Sequence, residues 1–253
     1  MGTDDLDSQG GISLLNQVFG YEQNGYVTRD GIYVIDTEHR NHIGVDLAMI
    51  HNRKTYDNHV TMLNKDSFVN PNSANVNAIM KINQKDNYTQ KCAFSTMLQI
   101  YSLFDIPLPK TDEGKMFLLS IDSSHLGHYA PAFKRIHNEW LEKLDLTELI
   151  DILNKYSKAE ISNMRKGEKL TFENNILTYN KEYKDWAEKH LGYEIILPKG
   201  EFTQVVEFKQ EYDPSITLKL DITHDKNVFS CAMTTGKHVS YSRIKKIIKP
   251  AAS

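Results

Sequence analysis

Cysteine is scarce in this sequence, and so are the features that mark exported or membrane proteins. The chain of 253 residues contains two cysteines, Cys92 and Cys231. Two cysteines cannot build a disulfide scaffold in a chain of this length, and neither belongs to a Cys-x-x-Cys metal pair. The longest apolar runs are too short to span a bilayer, and the first residues are acidic, unlike a secretory signal. We therefore predict a cytoplasmic protein that does not enter a membrane.

An excess of positive charge is also missing. The formal net charge of -3 gives no overall attraction to nucleic acid, so a nucleic-acid or nucleotide partner would need a local binding site. Hydrophobic residues make up 40% of the chain and charged residues 25%, which is close to the average for globular proteins. A chain of this length can bury a substantial core. The sequence therefore predicts a folded globular protein and leaves its oligomeric state open.

Short β-rich runs and helical patterns are mixed along the chain. They predict an α+β fold with a mixed central sheet, helices packed on that sheet, and a C-terminal region of antiparallel strands. Residues 1–11 are acidic and end in two glycines, so we expect a disordered N-terminal tail there. Residues 12–253 then form a single domain, and a sub-boundary near residue 192 is an open alternative.

Two predicted strands end in the same pattern of polar residues. The first strand is the second arm of a hairpin and ends in Ile35-Asp36-Thr37-Glu38-His39, with His42 soon after. The second is an apolar run over 115–121 that ends in Ile121-Asp122-Ser123-Ser124-His125, with His128 soon after. A strand that ends this way delivers reactive side chains to the rim of a sheet. If the two strands are neighbours, their polar ends converge.

Carboxylates at strand ends are suitable ligands for Mg or Mn, because hard cations prefer oxygen donors. Two such ions activate water on one side of a phosphorus atom and stabilise the leaving oxygen on the other. We therefore favour a metal-dependent phosphodiesterase or nuclease. The expected metal ligands are Asp36, Glu38 and Asp122. Proton transfer is expected from His125 and His128, and substrate contacts from His39, His42 and Arg53.

Three short segments resemble motifs of known families. The run from Ile35 to Glu38 resembles the first metal-binding motif of DEDD exonucleases. Gly31-Ile32-Tyr33, followed by His42-Ile43-Gly44 and Arg53, is similar to the opening of GIY-YIG nucleases, with His42 in place of the second tyrosine. The segment from His125 to His128 resembles the His-x-Gly-His motif of nucleotidyl transferases, whose imidazoles stabilise charge on a triphosphate.

Two other classes of function stay open. Cys92 stands at the start of a helix predicted over 92–104, where the helix dipole stabilises a thiolate. With His128 as its base, it would serve a cysteine hydrolase or acyltransferase, since papain-like and transglutaminase-like enzymes also place Cys before His. The remaining class is a non-catalytic interaction protein, with the polar loops at 51–59 and 64–77 as its contact surface.

Overall fold

The computed structural model describes residues 1–39, 41–165, 170–218 and 220–248. The helices in these ranges are α1 (Leu6–Phe19), α2 (Val76–Ile79), α3 (Thr96–Leu103), α4 (Asp112–Ser120), α5 (Leu126–Tyr129), α6 (Lys134–Lys143), α7 (Glu148–Lys155), α8 (Lys158–Ser162) and α9 (Lys181–Leu191). The strands are β1 (Gly25–Val27), β2 (Gly31–Val34), β3 (Gly44–Val45), β4 (Thr55–Tyr56), β5 (Ser73–Ala74), β6 (Leu170–Glu173), β7 (Ile176–Tyr179), β8 (Thr203–Pro214), β9 (Val228–Met233) and β10 (His238–Ile247). The predicted α+β class is confirmed.

The strands form three separate sheets. The largest has the order β1-β2-β8-β10-β9 with antiparallel pairing throughout, so it joins strands from both ends of the chain. The second sheet is short and parallel, in the order β3-β4-β5. The third is the hairpin of β6 and β7. The antiparallel C-terminal strands and the hairpin of β1 and β2 agree with the sequence prediction.

Most helices share one apolar core. Side chains from α1, α3, α4, α6, α7 and α9 meet in it. Helix α1 crosses close to α3 and β3 because Gly11 has no side chain: a Cβ there would lie 2.9 Å from Cγ1 of Val45 and 3.2 Å from Cδ1 of Ile100. This close approach brings the first turn of α1 to the beginning of α3. Within the described ranges, no helix is long and apolar enough to cross a membrane.

The strand predicted over 115–121 is wrong, because these residues belong to α4 and the turn that follows it. Thr111 caps the helix by accepting a hydrogen bond from the Gly114 amide, and two acidic residues occupy the first turn. The apolar run of α4 is buried on all sides, and periodicity alone cannot separate such a helix from a buried strand. Asp122 therefore does not end a strand.

The predicted disordered tail is also wrong. Asp5 caps α1, and the residues from Leu6 to Leu15 are buried. Gly2 pairs with the main chain of β1 through hydrogen bonds of 3.2 Å and 2.9 Å. The acidic residues that suggested disorder lie at the cap and in the first turn of a helix, where negative charge is favoured by the helix dipole.

Candidate functional site

The short parallel sheet places three polar residues at one edge. Asp46 directly follows β3, Asp57 directly follows β4, and Asn75 directly follows β5. Because the three strands are parallel, their carboxyl ends lie at the same edge. Functional sites of open sheets with parallel strands commonly occupy this edge. The three strands are neighbours in the sheet, so the segments that follow them begin close together.

Asp46, Asp57 and His59 form the first group of candidate metal ligands. Nδ1 of His59 lies 2.7 Å from Oδ1 of Asp57 and 3.9 Å from Oδ1 of Asp46. One ligand atom from each residue lies within 4.8 Å of the others. Side chains at this separation could together hold a single cation. The spacing Asp-x-His puts both of its ligands on one short turn after β4.

Asp7, Asp46 and Asp122 form a second group that shares Asp46 with the first. One carboxylate oxygen from each of the three lies within 4.8 Å of the others. Asp7 comes from the first turn of α1 and accepts hydrogen bonds of 2.7 Å from the main-chain amides of Thr96 and Met97. These are the first two residues of α3, so the beginning of that helix fixes both oxygens of Asp7. We call Asp7, Asp46, Asp57, His59 and Asp122 the acidic cluster.

The turn after α4 holds Asp122 in an unusual backbone conformation. Asp122 has φ of 50° and Ser123 has φ of 56°, values that residues other than glycine seldom adopt. Oγ of Ser124 accepts a hydrogen bond from the Ser95 amide and donates one to the Ile121 carbonyl, both of 2.8 Å. Nε2 of His137 contacts the Ser124 carbonyl at 2.7 Å. The Ser95–Ser124 hydrogen bond therefore connects this turn to the start of α3, where Asp7 is also bound.

The acidic cluster is largely buried and has little positive charge around it. Asp7 is 1% exposed, Asp46 is 7% exposed and Asp57 is 1% exposed, whereas Asp122 is open to solvent. Across the described residues, no lysine or arginine forms an ion pair with any of these four carboxylates. His59 is the one cationic partner found there. Buried carboxylates normally require a paired charge or a metal ion.

The pKa values in the cluster reflect this crowding of acids. Burial raises the pKa of Asp46 to about 8, and the charge of Asp5 acts in the same direction. Burial also raises the pKa of Asp7, and the charges of Asp46 and Asp122 add to the rise. Desolvation lowers the pKa of His59, but the charge and hydrogen bond of Asp57 outweigh it and raise that pKa to about 10. The cluster therefore retains protons at neutral pH, which a bound cation would displace.

Asp36 and Glu38, the other expected metal ligands, lie elsewhere. Both are exposed in the segment after β2, where the Glu38 amide donates a 2.9 Å hydrogen bond to Oδ1 of Asp36. Neither belongs to a group of three candidate ligands in the described chain. His39 and His42 have their rings 5.2 Å apart and line a cavity of about 870 Å³ together with Asp36. The structure thus groups Asp122 with Asp7 and Asp46.

His125 and His128 are buried beside the Asp122 turn. Nε2 of His125 lies 2.8 Å from Oγ of Ser162, and Nδ1 of His128 lies 3.0 Å from Oδ1 of Asn138. Burial lowers the pKa of both imidazoles. These contacts join α5 to α6, and the residue before α5 to α8; neither histidine belongs to the two groups of candidate ligands.

Cys92 and Arg53 are held by main-chain contacts. Cys92 is 1% exposed, its amide donates to Oδ1 of Asn77, and burial raises the pKa of its thiol to about 12. The predicted helix start at Cys92 is wrong, because α3 begins at Thr96. Cys92 therefore lacks the helix dipole and the solvent exposure that activate a thiolate.

Arg53 donates from Nη1 to the Ile50 carbonyl at 2.8 Å and lies over the ring of Phe229.

Four members of the cluster were missed by the sequence prediction. Asp7 lay in the expected tail, and Asp46 lay in the apolar stretch Ile43-Gly44-Val45-Asp46-Leu47, to which no functional role was assigned. Asp57 and His59 lay in a loop assigned to partner contacts. Two sequence features could have indicated these residues as a site. One is the pair Asp57-x-His59, and the other is Asp46 directly after Gly44-Val45; both follow a short β-rich run.

Comparison with protein-family models, with curated proteins and with solved structures finds no match for this chain.

Proposed function

We propose that the protein is a phosphoester hydrolase that uses two divalent cations held by the acidic cluster. The observation that carries this proposal is the sharing of Asp46 between two groups of three ligands. A shared carboxylate is the arrangement needed to hold two cations a few ångströms apart. Paired metal ions about 3.5–4 Å apart serve phosphatases and nucleases, where they stabilise both the attacking and the leaving oxygen.

The donor set favours Mg²⁺ or Mn²⁺. Four of the five ligands are carboxylates, which suit hard cations, and the single imidazole is better tolerated by Mn²⁺ than by Mg²⁺. Two bound cations would bring down the pKa of a water molecule and offset the charge of a phosphate. Because Asp122 is exposed and the His59 side chain is 38% exposed, the cluster is open to a substrate on that side. A nucleotide or nucleic acid belongs to the phosphoester substrates that this chemistry suits.

The protein's own groups have separable roles in this proposal. Asp7 is fixed by two helix amides, and Asp46 accepts a 2.9 Å hydrogen bond from Oγ1 of Thr96. These contacts orient the carboxylates before any cation binds. The Nδ1 atom of His59 contacts Oδ1 of Asp57 at 2.7 Å, and the imidazole would have to release a proton to solvent before this nitrogen could hold a cation. Preorganised ligands of this kind reduce the free energy lost on binding.

The test combines metal binding with hydrolysis. Metal-free protein is titrated with Mn²⁺, and hydrolysis of bis(p-nitrophenyl) phosphate is followed with and without EDTA. We expect two Mn²⁺ per chain and hydrolysis that EDTA abolishes. Asp46→Asn, which removes the shared ligand, should lose both. Asp151→Asn, an exposed acid on α7, is the matched control and should keep both.

Asp36→Asn separates this proposal from the one based on sequence pattern alone. If the cluster is the site, this variant keeps its metal binding and its hydrolysis. If the original pair of strand-end acids is the site, the variant loses both. Full hydrolysis by Asp46→Asn, or hydrolysis by the wild-type protein in excess EDTA, would contradict the two-cation proposal.

A further inference from the structure

We propose that Asn75 is a positioning residue of the acidic cluster, because one buried amide group holds both Asp57 and His59. Its Nδ2 donates a 2.8 Å hydrogen bond to Oδ2 of Asp57 and a 2.7 Å hydrogen bond to the main-chain carbonyl of His59. Asn75 is 1% exposed. This inference rests on the proposed metal site and adds a residue that the ligand groups do not contain.

The hydrogen-bonding capacity of Asn75 explains why it can do this. An amide NH₂ group has two donors, and here each donor is used on a different part of the same turn. The Asn75 oxygen accepts from the Ala78 amide at 3.1 Å, which caps α2 and fixes the side chain from its other end. Asp57 consequently points Oδ2 at Asn75 and Oδ1 at Nδ1 of His59. Without Asn75, a buried carboxylate oxygen loses its partner and the Asp57 side chain can rotate.

A second asparagine supports the same turn. Asn77 is fully buried, and its Nδ2 donates to the carbonyl of Asn58 at 2.7 Å and to that of Cys92 at 2.9 Å. The segment after β5 therefore holds the carboxylate of Asp57 and the carbonyls of the next two residues. Groups that orient metal ligands through hydrogen bonds typically change metal affinity or activity about 10–100-fold when they are removed.

Asn70 provides a matched control at the other end of the same strands. It is 5% exposed, and its Nδ2 donates 2.8 Å hydrogen bonds to the carbonyls of Met49 and Arg53. Its oxygen accepts from the Asn72 amide at 3.1 Å. Asn70 thus makes two donor contacts and one acceptor contact, as Asn75 does, but contacts no member of the acidic cluster.

The experiment compares Asn75→Ser with Asn70→Ser in the metal-free chain of 253 residues. Serine keeps an oxygen that can cap α2, so Asn75→Ser removes mainly the two hydrogen bonds that Nδ2 of Asn75 donates. Mn²⁺ affinity is measured by calorimetry and by the electron paramagnetic resonance signal of free Mn²⁺. We expect Asn75→Ser to weaken Mn²⁺ binding by about 10–100-fold. Asn70→Ser should lower the melting temperature similarly but leave the affinity within about twofold of wild type.

Two results would overturn the assignment of Asn75. One is wild-type Mn²⁺ affinity in Asn75→Ser, and the other is an equal loss of affinity in Asn70→Ser, which would indicate a general effect of stability. Wild-type protein that binds no Mn²⁺ would overturn the metal site and Asn75 with it. Wild-type protein that binds Mn²⁺ but cleaves no phosphoester would refute the proposed function alone, and a selective loss of affinity in Asn75→Ser would still support the positioning role.

Discussion

Oγ1 of Thr96 donates a hydrogen bond of 2.9 Å to Oδ1 of Asp46, and it joins the first residue of α3 to the residue that both ligand groups share. The amide of the same threonine donates to Asp7 at 2.7 Å. A single residue therefore contacts two of the candidate metal ligands, which come from α1 and from the end of β3. The start of α3 is the common support of the acidic cluster.

The Thr96 hydroxyl can be removed with little change of shape. Thr96→Val leaves Asp46 without this donor while keeping the main-chain contact to Asp7. We expect a loss of about 1–3 kcal/mol in the free energy of unfolding, because a buried acceptor becomes unsatisfied. Mn²⁺ affinity should fall as well. Denaturant unfolding and Mn²⁺ titration measure the two effects, and Thr96→Ser, which keeps the hydroxyl, should stay near wild type in both.

The stability of the metal-free protein should fall as pH rises from about 5.5 to 8. Burial raises the pKa of Asp46 from 3.8 to about 8, so in this range the folded state keeps a proton that the unfolded state has released. Stability decreases with pH wherever the folded state binds more protons. His59 acts in the same direction above about 6.5, because its pKa is raised to about 10. The contributions of Asp46 and His59 to the stability of the folded protein are both fully present at low pH.

Denaturant unfolding in EDTA at several pH values measures this effect. The expected slope from Asp46 is on the order of 1 kcal/mol per pH unit. Asp46→Asn should flatten the profile and make the protein more stable than wild type at pH 8. Stability that rises over this pH range in wild-type protein, with no response to the substitution, would contradict the raised pKa of Asp46.

Added Mn²⁺ should stabilise the folded protein. A cation that binds the folded state alone raises the free energy of unfolding by about 2.7 kcal/mol at a concentration one hundred times its Kd. We expect a higher melting temperature with Mn²⁺, reversal by EDTA, and a smaller shift in Asp57→Asn, which keeps the group of Asp7, Asp46 and Asp122. Thermal melts measure this shift in melting temperature directly. An equal shift in Asp57→Asn would place the binding outside the group of Asp46, Asp57 and His59.

Gly31 should not accept a side chain. A Cβ at this position would lie 1.9 Å from the main-chain oxygen of Val206, where β2 pairs with β8. Gly31→Ala therefore forces the two strands apart and should reduce stability strongly or abolish folding. Gly236→Ala is the control, because the nearest atom to its Cβ would be Cδ1 of Tyr88 at 3.9 Å. Circular dichroism and thermal melting compare the two variants.

Cys92 should be inert in the folded protein. It is buried and burial raises the pKa of its thiol to about 12, so very little thiolate is present at neutral pH. We expect a thiol reagent such as DTNB to react with Cys92 only after denaturation, and Cys92→Ala to keep hydrolysis. Rapid labelling of Cys92 in the native state, with loss of activity, would favour the cysteine hydrolase instead.

Several features of the fold follow from local sequence. The hairpin of β1 and β2 is marked by a turn signal between two β-rich runs, and β8 to β10 show the mixed polar and apolar runs of antiparallel strands. The metal-dependent chemistry that was predicted from carboxylates near histidines stays a prediction. Errors arose where local patterns are ambiguous, as in α4, whose fully buried apolar run lacks a polar face.

The sequence by itself determined the α+β class, the antiparallel strands and the supply of acidic and imidazole side chains. Only the tertiary structure decided which of those side chains meet. Asp122 was predicted to pair with Asp36, but it lies with Asp7 and Asp46. The reason is physical: the amides at the start of α3 bind a carboxylate from α1 across 89 and 90 residues of sequence. Periodicity reports only neighbours along the chain and carries no information about such contacts.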